Sequence, residues 1–173
     1  MSHHEIAELQ RVFQTRLDVL DHLLTLGQKH LPDADAMLQE RLAPDMFPLG
    51  GQVAFACNQP RGFALWCAGE PIDNLKPDIA SLAQARAAIQ QTRERVAAIG
   101  ADDRKLDEVK RVGLGPGRHA ELPARQYVSD YLLPNLYFHL TTTYAILRML
   151  GVPVGKADFM TFLAPHIQVE GGH

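Results

Sequence analysis

His139 sits midway along a long helical apolar pattern, with Asn135 four residues before it and Thr143 four residues after. Residues at that spacing share one face of an α-helix, so an amide, an imidazole and a hydroxyl stand in a row. An imidazole titrates near neutrality and can take or give a proton, while the amide or hydroxyl beside it can hold a substrate oxygen. The same residues also describe a core histidine satisfied by a hydroxyl or carbonyl, and both readings stand at this point.

A carboxylate that could orient and charge this ring is Asp45, in the elbow PDMFPL, where an aspartate is equally suited to capping the next turn. Gln52, a turn or so further on, has the same two readings. Tyr131, Tyr137 and Tyr144 follow on the helix of His139 and could close over a ligand by stacking or serve as core contacts. Thr141, Thr142 and Thr143 read as packing residues whose hydroxyls bond back to the preceding turn. The sequence LGPGR at residues 114–118 lacks the spacing of a phosphate loop and is expected to be a tight turn. Cys57 and Cys67 adjoin no basic residue, and ten residues of one helix hold them about 15 Å apart, so neither a reactive thiol nor a disulfide is expected. Unpaired cysteines fit a reducing cytoplasm.

The elements that must position these groups are helices. Ile6, Leu9, Phe13, Leu17, Leu20 and Leu24 keep a helical period and predict a first helix over about residues 5–30. A second apolar row, Val12, Val19, Leu23 and Leu26, widens its stripe and suggests a face for a second copy of the chain, hence a homodimer. After Pro32, Asp33 is placed to cap a short helix, and Pro44 and Pro48 break the chain. A second helix is predicted over about 49–68, ending at Gly69, and a third over about 78–99 with Pro77 in its first turn. VKRVGLGPGRHAEL reads as a hairpin or loop. A fourth helix over about 124–150 carries His139 and should kink at Pro134. The tail, 151–173, should pack across one end. Four helices in one all-α bundle over residues 1–173 are the expected architecture.

The bulk composition agrees: 173 residues, 46% hydrophobic and 21% charged, with a formal net charge of -3. That balance gives no basic stripe for nucleic acid. No stretch approaches a membrane span, and the first residues lack a signal-peptide pattern, so a cytoplasmic protein without membrane or nucleic-acid partners is expected.

Two passages carry a resemblance. RLAPDMFPLGGQV (41–53) and LPNLYFHLTTTYAILRMLGVPVGKADFM (133–160) resemble the signatures of the family called domain of unknown function nineteen-ninety-three, within the DinB/YfiT-like superfamily of helical bundles. Many members of that superfamily bind a divalent metal through three histidines, one on the second helix and an HxxxH pair on the fourth. The resemblance sets His139 at the second histidine of the pair, Asn135 at the first, and Ala54 or Phe55 at the ligand of the second helix. Two of three ligands are thus absent, and no metal and no cofactor are expected. The expectation is a small-molecule pocket between the second and fourth helices, lined by Asp45, Gln52, Asn135, His139 and Thr143 with Tyr131 near it. His139 and Asp45 would carry any catalysis. Alternatives are a non-catalytic ligand-binding or stress-related module and a metal-dependent thiol transferase or isomerase with unrecognised ligands.

Overall fold

The computed structural model describes residues 4–168; residues 1–3 and 169–173 of the expected domain lie outside it. Helix α1 (Glu5–His30) buries Ile6, Phe13, Leu17, Leu20 and Leu24 on the predicted face. Its first free N–H groups are met from far along the chain: the Asp103 carboxylate accepts from the backbone N–H of Glu5 and of Ile6, at 3.1 and 2.9 Å. Asp33 then accepts from the N–H groups of Asp35 and Ala36, but the short helix it begins is a 3₁₀ turn, Ala36–Gln39.

Helix α2 (Leu49–Ala68) is buried nearly all round, from Gly50, Gln52 and Val53 through Cys57 to Phe63 and Leu65, as a helix in the middle of a bundle must be. It ends at Gly69 in the left-handed conformation (φ 71°). Gly50 has a different reason: a Cβ there would lie 2.0 Å from the Ile79 carbonyl oxygen, so only glycine lets the returning chain cross the start of α2. Arg61 is buried with its guanidinium bonded to the Asp73 carbonyl and carboxylate at 2.6 and 2.5 Å, which ties the same connection down.

Helix α3 (Leu82–Ala97) begins later than Pro77 suggests, because Ser81 and Gln84 form a reciprocal capping box. Strands β1 (Val109–Gly113) and β2 (His119–Pro123) pair antiparallel as a hairpin, with Lys110 opposite Leu122 and Val112 opposite Ala120. The last long helix consists of α4 (Ala124–Tyr127), a π-helical turn (Val128–Leu132) and α5 (Leu133–Met149), with right-handed helical backbone through both junctions. A π turn lies just before Pro134, at the position where a kink was predicted; its wider turn accommodates the ring and the missing N–H.

The bundle is formed by α1, α2, α3 and α5. Each of α1 and α2 packs between α3 and α5, leaving α1 and α2 diagonally opposed. The connection after α1 therefore crosses the bundle rather than turning back to a neighbour.

The C-terminal segment, α6 (Lys156–Phe159) and a 3₁₀ turn (Thr161–His166), lies along α1 instead of across an end. His22 Nε2 meets Asp158 Oδ1 at 2.9 Å, and the Arg16 guanidinium stacks 3.6 Å above the Phe162 ring. Val19 and Leu23 of the second apolar row, from which a homodimer was expected, are fully buried within the chain, and Val12 and Leu26 are partly buried.

Candidate functional site

The side chains of α2 and α5 meet at His139 and Gln52. Gln52 lies in the first turn of α2, where its own N–H bonds the Pro48 carbonyl at 3.0 Å. Its side chain is 2% exposed, and its Nε2 donates to the Phe47 carbonyl at 3.0 Å. That bond fixes the amide, leaving Oε1 to face His139 Nδ1 at 2.8 Å. An amide oxygen only accepts, so the ring proton sits on Nδ1 and Nε2 keeps its lone pair. Burial pushes the imidazole down to about 4, and the ring is neutral at pH 7.

Aromatic rings surround it. Phe55, three residues after Gln52, lies over the imidazole with centroids 5.1 Å apart at 30°. Phe138 meets it edge-on at 5.2 Å, and Phe47 packs edge-on against Phe55 at 4.8 Å. Phe47 and Phe138 are 51% and 57% exposed, so this collar opens to solvent. Sequence reading missed it: Phe55 entered only as a vacated ligand position, although it shares a helix face with Gln52.

The other candidates go elsewhere. Asp45 is exposed and forms no hydrogen bond with His139; the expected Asp-His couple is replaced by a Gln-His pair. Asn135 turns back along its helix, donating to the Tyr131 carbonyl at 2.7 Å. Thr143 is fully buried, and its Oγ1 has no partner among the described residues. Tyr131 lies two turns from His139 and stacks on Tyr127 at 5.7 Å. Of the five residues expected to line one pocket, Gln52 and His139 are the two joined by a hydrogen bond. Tyr137 accepts from Arg16 Nε at 2.9 Å, and Tyr144 donates to the Val154 carbonyl at 3.4 Å. Burial pushes the Cys57 and Cys67 thiols up to about 12 and about 11, away from thiolate chemistry.

The metal of the superfamily can be tested against this geometry. Around His139 the donors are one imidazole nitrogen and an amide whose oxygen already accepts from that ring; its other neighbours, Phe55 and Phe138, offer no metal ligand. Among the described residues no three His, Cys, Asp or Glu side chains come together. These residues do not fit a metal site. Nor does the ring suit strong base work: moving a proton from a thiol-like group to an imidazole near 4 runs uphill by about 6 kcal/mol. A neutral imidazole with a free lone pair is, in contrast, a good hydrogen-bond acceptor. Surface clefts of about 420, 320, 470 and 410 Å³ are lined by other residues.

Among the described residues no helix is long and apolar enough to cross a membrane. The fold is similar to that of a DinB family member protein from Shewanella denitrificans, at 26% sequence identity and a TM-score of 0.72, over 87% of this chain and 88% of that one. No curated protein matches the sequence. The model of the family described as Domain of unknown function (DUF1993) matches residues 8–160, and the chain belongs to that family.

Proposed function

We propose that this protein binds a small, flat, largely apolar molecule carrying one hydrogen-bond donor, at the collar formed by Phe47, Phe55, Phe138 and His139, without catalysing a reaction on it. The observation that carries this reading is the neutral His139, its Nδ1 proton committed to Gln52 and its Nε2 lone pair free between aromatic rings. A phenol or thiol would give its proton to a hydrogen bond there, and its ring or chain would replace water over Phe47 and Phe138. The lowered basicity of the ring favours this over general-base catalysis, and the poor donor set counts against a metal-dependent transferase or isomerase.

The test is an NMR titration of the ring nitrogens of His139 with 4-methylphenol and, separately, toluene. Saturable binding of 4-methylphenol that moves the Nε2 resonance, and is lost in His139→Phe but kept in Asp45→Ala, is the expected result. Binding that leaves Nε2 unmoved, or that survives His139→Phe at equal affinity, would overturn the reading. After incubation with zinc, nickel and manganese and dialysis, metal analysis should find far less than one equivalent retained; one equivalent lost in His139→Ala would restore the metalloenzyme.

The exposure of Phe47 and Phe138 favours a second reading, in which two copies of the chain meet at this collar. Sedimentation of the wild type against Phe138→Glu separates the two: a dimer that the charge dissociates supports self-association.

A further inference from the structure

At the far end of α2 from the collar, the hairpin folds onto the bundle, and its register turns a lysine inward. Along β1 the inward positions are Lys110 and Val112, while Val109 and Arg111 face solvent. Lys110 is 7% exposed. Its Nζ lies 5.6 Å from the centre of the Trp66 ring and 5.8 Å from that of Tyr127. Among the described residues it has no hydrogen-bond or carboxylate partner, yet it is not one of the polar atoms sealed from solvent without a partner.

The charges around it raise the cost of an ammonium. Lys105 also stands over Trp66, at 4.7 Å, and its Nζ is bonded to Glu108 at 2.8 Å. From α2 the group facing it is the Cys67 thiol and from α4 the Tyr127 hydroxyl; burial pushes the ionisation of both up, and both are neutral at pH 7. Burial of Lys110 and repulsion by Lys105 hold its amine below the usual lysine range. Cation–aromatic attraction offsets part of the desolvation and leaves the amine oriented toward the rings.

We propose that the Lys110 amine is a carbonyl-reactive site that condenses with small aromatic aldehydes. The unprotonated Nζ adds its lone pair to the carbonyl carbon, and the carbonyl π pair passes to oxygen. The carbinolamine then loses water, the oxygen leaving with both amine hydrogens, and a C=N bond joins Lys110 to the aldehyde carbon. Neither oxidant nor reductant is consumed. Trp66, partly exposed beneath the two lysines, supplies an apolar face for the aldehyde ring, which is why an aromatic aldehyde is the class expected. Lysines acting as Schiff-base formers gain reactivity in this way, from an apolar setting and a second cation.

The chain has five lysines, at positions 29, 76, 105, 110 and 156, which makes a competition experiment readable. The full-length protein is treated at pH 7.5 with less than one equivalent of benzaldehyde and sodium cyanoborohydride, and the reductively trapped adducts are mapped by peptide mass spectrometry. More than half of the label is expected on Lys110, and this preference should vanish in guanidinium chloride. Lys105→Gln should slow labelling of Lys110 several-fold at pH 7.5 and move the midpoint of its rate against pH upward, because the repelling charge is gone and Glu108 is released. Label that follows exposure, falling on Lys29, Lys76 and Lys156, would overturn the proposal; so would a preference that persists in denaturant, or a pH profile unchanged by Lys105→Gln.

Discussion

Protonating His139 sets a positive charge against an apolar collar, which fixes the sign of the resulting pH dependence. The folded value, about 4, lies below the ordinary 6.5, so between these pH values the unfolded chain binds the proton that the folded chain refuses. The stabilisation is fully present above about pH 6.5 and is lost as pH falls through 4. With allowance for the ring's partial exposure it amounts to roughly 1–2 kcal/mol. Urea denaturation at pH 7.5 and 4.5 should therefore show a smaller acid loss in His139→Phe than in the wild type. Gln52→Leu leaves the Nδ1 proton without an acceptor and should cost about 1–3 kcal/mol at pH 7.5, whereas Asp45→Ala should change stability by less than about 0.5 kcal/mol. His139 and Gln52 were legible as candidates because polar groups in apolar helical patterns stand out. Their pairing was not, since helical spacing tells which residues share a face but not which residue of another helix meets them. Asp45 misled for the same reason: its elbow is near the site in sequence, and its side chain faces water.

At the scale of elements, glycine and proline marked the bounds of α1 and α2 well, because each forces a local backbone state. The start of α3 was misplaced because Pro77 and Ser81 both signal a helix start, and the reciprocal bonds between Ser81 and Gln84 favour the later one. Ser81→Ala should cost about 1 kcal/mol in urea or thermal denaturation. Gly50→Ala should cost about 1–3 kcal/mol by the same measurement, since the new methyl meets the Ile79 backbone oxygen rather than a side chain that could rotate away. The hairpin was legible as a turn between β-branched residues, but its register was not. Alternation alone allows Val109 and Arg111 inside as readily as Lys110 and Val112, and docking on Trp66 and Tyr127 accompanies the second choice. The π turn had no direct signal beyond Pro134.

At the scale of the molecule, the order of packing explains why α1 carries two apolar rows. Helix α1 packs against α3 and α5 and also against the C-terminal segment, which is held at Arg16 and His22 on the side of Val19 and Leu23. Removing residues 156–173 should uncover Val19 and Leu23, lower the thermal midpoint and produce concentration-dependent association in sedimentation velocity; a truncated chain as stable and as dispersed as the full one would show that the segment is not part of the core. An apolar face read without its covering fits an intramolecular partner as well as an intermolecular one, and here Val19 and Leu23 are buried within the chain. The hairpin's docking has a further consequence. Trp66 is the sole tryptophan of the chain, and it lies beneath Lys105 and Lys110. Its emission therefore responds to the docking of the hairpin: if the hairpin lifts before the helices separate, the indole meets water first, and a red shift will precede the loss of helical circular dichroism.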